Sequence, residues 1–270
     1  MKKELSVRTQ ILISTMHQVD TSILDKMNIH ADAVVINQCD LENKRNFEYK
    51  GYSITWIDTK ERGLSRSRNM ALKNATAEYC IIADDDEEFL PQSIDRVEKA
   101  FSEHQEYSLL RFKICGIQNI FKRYPKNEEK ISWIRSMKVS SVELAFKRQE
   151  IIESGIEFDV CIGAGTQFLM GEENAFLWEC LRKNKKIYYV PEIIANLHLG
   201  DSTWYEGFNS RYFIGKGAAF AAMSNRYATL LIIQFALRKY RVYKKNVGLM
   251  DAIRFMMQGK EQYFKKKFEK

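Results

Sequence analysis

At 270 residues, 45% hydrophobic and 12% aromatic, the chain carries enough apolar material for one large core, which excludes disorder over most of its length. Its five cysteines (Cys39, Cys80, Cys115, Cys161 and Cys180) are odd in number, widely spaced and free of any C-x-x-C pair, which argues against a disulfide framework or zinc ribbon and for a reducing, cytoplasmic compartment. The net charge of +7 is uneven: residues 226–270 hold 12 Lys and Arg against 3 Asp and Glu, leaving 30 against 32 in residues 1–225, so the basicity belongs to the C-terminal tail.

The N-terminus, Met1-Lys2-Lys3-Glu4, is charged, and the apolar stretch Ile11-Leu12-Ile13 after it is too short for a signal-peptide core. Residues 9–14 and 33–36 are short apolar runs that predict strands, with helical spacing over 20–29 after a cap at Asp20 or Thr21. A third strand is predicted at 53–57, a helix at 64–73, a fourth strand at 78–82 and, after Pro91, a helix with Ile94, Val97 and Phe101 at helical spacing. Strands alternating with helices at this pitch predict an α/β fold with a parallel or mostly parallel sheet flanked by helices. In such sheets ligands sit beyond the carboxyl ends of the strands, so the residues that follow each strand are the ones to inspect. Residues 108–115 and 140–146 predict further strands that make the sheet mixed, 118–130 is a polar loop, a helix spans about 173–183, and strands follow at 186–190 and 193–198. Beyond Trp204 the chain reads as helical, and no apolar run there approaches the roughly 20 residues that a membrane crossing requires. The predicted domains are thus 1–204, with a nucleotide-binding half of about 1–105 and an acceptor half of about 106–204, and a basic amphipathic helical tail over 205–270.

The strongest local signal is Ile81-Ile82-Ala83-Asp84-Asp85-Asp86-Glu87-Glu88-Phe89-Leu90-Pro91. Five consecutive carboxylates at a strand end repel one another and are hard to hold there without a neutralising cation. Mg²⁺ or Mn²⁺ suits the position, since it takes one or two protein carboxylates and fills its remaining sites with water and phosphate oxygens. Asp84, Asp85 and Asp86 can divide the work, one on the metal and another on the ribose or base of a nucleotide. The competing reading is a solvated acidic helix start, where carboxylates favour the helix dipole.

Asp84-x-Asp86 after a strand resembles the D-x-D motif of glycosyltransferase family 2, whose fold is called GT-A. Upstream, Gly63-Leu64-Ser65-Arg66-Ser67-Arg68-Asn69-Met70-Ala71 is similar to that family's Gly-x-x-x-x-Arg-Asn-x-(Ala/Gly) helix, and downstream Gly171-Glu172-Glu173-Asn174-Ala175-Phe176-Leu177 looks like its Gly-Glu-Asp-x-x-Phe-Leu segment. The three motifs occur in the family's order over about residues 7–204. The resemblance implies a GT-A domain in which Asp86 binds the metal and Asp84 faces the nucleotide, with Arg68 of the Arg-Asn pair, and Asn69 beside it, toward the donor. It also implies that Thr15, Gln38 and Asp40 lie where the family grips the nucleotide base, although Asn37-Gln38-Cys39-Asp40 departs from the family's Asp-Gly-Ser type of sequence. The catalytic base falls on Glu173, a Glu where the family has Asp, with Glu172 as the alternative. His198, at the end of a predicted strand, matches a position that can ligate the metal or contact the diphosphate.

The implied reaction is inverting transfer of a sugar from a nucleoside-diphosphate sugar, most commonly a UDP-sugar in the family, to a hydroxyl of a glycan or lipid-linked acceptor in bacterial cell-surface polysaccharide synthesis. A Mg²⁺-dependent nucleotidyltransferase also uses carboxylates around a nucleotide, but Ser14-Thr15-Met16-His17-Gln18 contains no glycine for a phosphate loop, and no Walker A pattern occurs. A nucleic-acid-binding protein is the third reading, from Tyr240, Tyr243, Phe255, Tyr263, Phe264 and Phe268 interleaved with Lys and Arg. The same tail, with Leu230, Leu231, Ile233 and Phe235 and then Val247, Leu249, Ile253, Phe255 and Met256, reads as amphipathic helices with basic flanks. Contact with the inner leaflet of a membrane through residues 226–270 is preferred over nucleic acid, and a homodimer interface is the other use of those apolar faces.

Overall fold

The computed structural model describes residues 8–198 and 207–269; the predicted boundary at 204–205, the segment 199–204 after His198 and N-terminal residues 1–4 lie outside the described residues. In chain order the elements are β1 (Thr9–Met16), α1 (Ile23–Lys26), β2 (Asp32–Gln38), β3 (Asn43–Tyr49), β4 (Tyr52–Thr59), α2 (Leu64–Asn74), β5 (Tyr79–Asp84), β6 (Glu87–Phe89), α3 (Ser93–Glu103), β7 (Leu109–Gly116), β8 (Glu129–Lys130) and α4 (Trp133–Ser136). A 3-10 turn (Ser141–Glu143), β9 (Leu144–Lys147), α5 (Arg148–Glu153), α6 (Glu172–Arg182), β10 (Ile187–Leu197), α7 (Ser210–Met223), α8 (Ala228–Tyr243) and α9 (Leu249–Phe268) follow. These fall into two compact units, the first drawn from the described residues up to Arg62, from Arg66–Glu157 and from 180–198, the second from Gly63–Ser65, Phe158–Glu179 and the described residues from 207 onward.

The first unit holds a ten-stranded mixed sheet in the order β3-β4-β2-β1-β5-β9-β7-β10-β6, with β8 also paired to β10. The run β4-β2-β1-β5 is wholly parallel, as is β7 with β10, whereas β3, β6, β8 and β9 pair antiparallel. In β1 every residue from Thr9 to Thr15 is buried, and in β2 every residue from Ala33 to Gln38. Burial on both faces is why these strands read as continuous apolar runs rather than as alternation. Ile11, Ile13, Val35, Trp56 and Ile81 pack there with Ile23 and Leu24 of α1 and Val97 and Phe101 of α3.

β3 is a strand that periodicity does not announce. It is an edge strand, its residues Asn43 to Asn46 all exposed, and it joins β4 through Lys50 (φ 51°) and Gly51 (φ 85°), the two left-handed positions of a tight hairpin. The two strands expected at 186–190 and 193–198 are one, β10, whose pairing with β7 shifts register between Tyr189 and Ala195. Pro191 falls inside that bulge, where a residue without an N–H does not break the ladder.

The second unit packs α7, α8 and α9 around Phe213, Phe220, Ile232, Phe235, Met256 and Tyr263. α7 starts at Asn209, whose side chain accepts from the Tyr212 N–H at 2.9 Å. α7 and α9 touch backbone to backbone: a Cβ at Gly217 would lie 1.9 Å from the Met256 carbonyl oxygen, and one at Gly259 1.9 Å from that of Ile214. Only glycine at both places allows this approach. Asp159 accepts from the Tyr263 hydroxyl at 2.6 Å and pairs with Lys267 at 2.8 Å, fastening the end of α9 to the segment that precedes α6.

Candidate active site

Parallel alignment of β4, β2, β1 and β5 brings their carboxyl ends to one edge, and the register there sets Asp58 beside Asn37, Asn37 beside Thr15, Gln38 beside Met16, and Ser14 beside Asp84. Asp58 is buried, and its Oδ1 accepts from Asn37 Nδ2 at 2.8 Å and Trp56 Nε1 at 2.9 Å. Asn37 in turn holds the turn after β1, accepting from the Gln18 N–H at 3.0 Å and donating to its carbonyl at 2.9 Å. Asn37 and Asp58 were not among the residues expected from sequence, although a polar residue closing an apolar strand is the signal that marks them. Asp40 is exposed beyond β2 and pairs with Arg62 at 2.7 Å, while Arg62 also donates to the Cys39 and Thr59 carbonyls.

The acidic run forms the end of β5, a two-residue turn and β6, so its carboxylates do not lie along a helix start. Each member has a different partner. Asp84 receives Arg68 Nη2 at 3.0 and 3.1 Å, and the same nitrogen reaches Ser141 Oγ at 2.7 Å; Arg68 is 2% exposed. Asp85 accepts from the Thr15 hydroxyl at 2.6 Å, and that oxygen accepts from Gln18 Nε2 at 2.9 Å. Glu87 is buried, and its Oε2 accepts from the Asp84 N–H at 2.9 Å while Oε1 has no hydrogen-bond partner among the described residues. Burial first, and then the Asp84 charge, holds Glu87 well above the ordinary carboxylate range. Asp86 reaches solvent, yet packing around its carboxyl and the charges of Asp84 and Asp85 push it up to about 6.

His198 follows β10, which pairs with β6, so its N–H donates to the Asp86 carbonyl at 2.9 Å and its ring lies 3.7 Å from Glu88. The two expected metal ligands, Asp86 and His198, are thereby neighbours on adjacent chain segments. Among the described residues no group of three or more His, Cys, Asp or Glu is arranged as a metal cage. A Mg²⁺ or Mn²⁺ ion that takes one or two carboxylates and completes its shell with phosphate and water does not require one. The crowded carboxylates, with Asp86 raised by burial and by its neighbours and Glu87 Oε1 without a hydrogen-bond partner among the described residues, are a donor set that a hard cation fits.

Glu172 and Glu173 open α6 in the second unit, Glu172 buried and Glu173 half-buried. The preceding Gly171 (φ 92°) carries no Cβ, which would lie 2.5 Å from Ala219 Cβ on α7, so the glycine of this motif serves close packing. One α7 side chain, Lys216, has its ammonium in the field of Glu173 and Glu172, and desolvation draws it below the usual lysine range. It also sits 5.9 and 5.7 Å over the rings of Phe220 and Phe235. No sequence signal links Lys216 to the Glu pair, because it lies 43 positions beyond Glu173. Asn69 is buried on α2, next to Arg68.

Three comparisons bear on these features. A family model described as glycosyl transferase family 2 matches residues 26–166. Among solved structures, that of S. aureus TarS 1–349 is similar at 12% identity and a TM-score of 0.59, covering 97% of this chain and 93% of that one. The structures of TarS 1–349 in complex with UDP (13% identity, 97% and 93% covered, TM-score 0.58) and with UDP-GlcNAc (11%, 96% and 92%, 0.58) are similar to the same degree. No curated protein matches the sequence. A likeness at such identity is one of fold, a mixed α/β sheet of the GT-A kind, but the family model spans more than half of the chain and includes the whole acidic strand end, and on that match the protein belongs to glycosyl transferase family 2.

Proposed function

We propose that the protein transfers a sugar, with inversion, from a nucleoside-diphosphate sugar of the UDP type to a hydroxyl of a glycan or lipid-linked acceptor. The observation that carries this reading is the convergence of Thr15, Gln38, Asp84, Asp85 and Asp86 at the carboxyl edge of β1, β2 and β5, where ligands of parallel sheets bind. That the similar TarS structures include complexes with UDP and UDP-GlcNAc supports a uridine donor. Asp86 and His198 would hold Mn²⁺ or Mg²⁺, which supplies charge neutralisation for a diphosphate leaving group. Arg68 fixes Asp84, and Thr15 fixes Asp85, so the acidic loop is oriented before substrate arrives.

Glu173 is the base in this reading, with Glu172 as the alternative. Its carboxylate takes the acceptor proton as the hydroxyl oxygen bonds the anomeric carbon, and the bond to the diphosphate oxygen breaks with its electron pair. General-base help of this kind contributes roughly 10²–10⁴ in rate. Calorimetry with UDP, GDP and CDP, each with and without Mn²⁺, tests the donor site: UDP binding strengthened by metal and weakened at least tenfold in Asp86→Ala is expected. Absence of binding by every nucleotide in the wild-type protein would overturn the reading. Glu173→Gln is expected to lower kcat 10²-fold or more with UDP affinity unchanged; if only Glu172→Gln does so, the base is Glu172.

No helix among the described residues is long and apolar enough to cross a membrane. We infer that α8 rests on the cytoplasmic face of one. Leu230, Ile233 and Leu237 are exposed along one stripe of α8, 63%, 41% and 59% respectively, and exposed Arg226, Arg241 and Lys244 lie at or just beyond its ends. An apolar stripe with basic ends suits an anionic lipid surface. Flotation with vesicles containing 30% phosphatidylserine should recover the protein, and Leu230→Glu/Leu237→Glu should release it; concentration-dependent dimerisation without flotation would assign the stripe to a second copy instead.

A further inference from the structure

Apart from the strand-end site, the first unit contains a cavity of about 430 Å³ lined by Arg111, Lys122, Arg123, Arg135 and Lys138 with one carboxylate, Glu129. Its floor is a closed network. Glu143 is fully buried and accepts from Arg111 Nε at 2.8 Å, Lys122 Nζ at 2.7 Å and the Tyr124 hydroxyl at 2.7 Å. The Arg111 guanidinium lies beside the stacked pair of Tyr124 and Tyr189, 5.2 Å from each ring centroid. These contacts hold the floor rigid without adding negative charge to the opening.

The walls carry the surplus. Arg135 pairs with Glu129, but Arg123 and Lys138 are exposed and their side chains make no ion pair among the described residues. Five cations thus face two carboxylates, one of which is buried beneath the floor. The positive potential in a concave site raises the local concentration of anions. The wall also leads to the acidic strand end within the same unit: Lys138 is followed by Ser140, whose hydroxyl accepts from Lys122 at 2.9 Å, and by Ser141, whose hydroxyl accepts from Arg68, the partner of Asp84.

We propose that this cavity binds an oxyanion, phosphate or carboxylate, carried by the acceptor, so that the acceptor is an acidic rather than a neutral glycan. Assigning the anion to the acceptor rests on the glycosyl-transfer reading, but the binding site itself does not. Forked donors from Arg123 and a point charge from Lys138 match an oxyanion entering over a floor that is already paired. A volume of this size accommodates one sugar-sized unit with its charged group.

The test is titration of the full chain, at 50 mM ionic strength, with inorganic phosphate, glycerol 3-phosphate and glucuronate, and with glycerol as the neutral control, each in the absence and presence of saturating UDP. The double variant Arg123→Ser/Lys138→Ser changes only exposed side chains, and its melting curve and UDP affinity are measured in parallel. One or more of the anions should bind in the presence of UDP, at least tenfold more weakly in the variant, while glycerol does not bind and UDP affinity is unchanged. Phosphates binding alone assign a phosphate-bearing acceptor, and glucuronate binding alone an acidic sugar. Anion binding that UDP abolishes, or that the variant leaves unaltered, would overturn the proposal, as would no anion binding at all. Failure of UDP itself to bind the wild-type chain would count against the donor reading and leave the anion result standing.

Discussion

The contact between Arg68 and Asp84 allows a quantitative test of how the acidic loop is held. Arg68→Met keeps most of the side-chain volume and removes the cation, so the contacts to both Asp84 oxygens and to the Ser141 hydroxyl are lost. Removing one partner of a buried pair costs about 3–5 kcal/mol when the survivor stays dry. Asp84, however, keeps 28% of its side chain exposed, and water recovers part of that loss, so a loss of about 2–3 kcal/mol is expected. Urea unfolding followed by circular dichroism and tryptophan fluorescence reads this as a lower midpoint at an unchanged slope. Arg68→Lys restores charge without the fork and should recover about half. In the cycle with Asp84→Asn, the two losses should fall short of additivity by about 1–2 kcal/mol. A single variant that loses less than about 0.5 kcal/mol, or strict additivity in the cycle, would refute the claim that this pair anchors the loop.

Gly259→Ala should separate α9 from α7, because the new methyl would lie 1.9 Å from the Ile214 carbonyl oxygen. Overpacking of this kind costs about 1–3 kcal/mol, against a helix-propensity gain of about 0.5–1 kcal/mol, so a net loss is expected in a thermal melt; an unchanged or raised Tm would contradict the packing described. At Asp159, burial raises the carboxyl but the hydrogen bonds from Lys267, Tyr263 and Cys161 outweigh it and draw it below the ordinary range. A depressed folded value stabilises above the unfolded carboxylate range, near 3.9, and that stabilisation disappears as pH falls through the folded value. The wild-type advantage over Asp159→Asn should therefore be about 1–2 kcal/mol at pH 6 and vanish toward pH 2; an advantage that grows on acidification would reverse the sign assigned here.

The parallel heart of the sheet was legible in the sequence because β1, β2, β4 and β5 are buried on both faces and therefore appear as apolar runs with polar ends. β3 was not, because a solvated edge strand such as Asn43–Tyr49 carries no apolar period, and its main signal is the Lys50-Gly51 turn. The long strand β10 was read as two because Pro191 resembles a break, which the bulge opposite β7 absorbs.

The acidic run Asp84–Glu88, taken in order with the Arg68-Asn69 and Gly171-Glu172-Glu173 motifs, pointed from sequence alone to the family that the family model matches, whereas the run by itself also fitted a solvated helix start. What each carboxylate touches was decided by tertiary structure: Arg68 on Asp84, Thr15 on Asp85, the His198 ring beside Glu88 and a dry environment for Glu87. The same holds for Asn37 with Asp58, for Lys216 near Glu172 and Glu173, and for the basic cavity whose cations come from positions 111 to 138. Charge and hydropathy along a chain record what each segment can tolerate, whereas electrostatic partnership depends on separations of a few ångströms between residues far apart in sequence, and only the folded chain sets those.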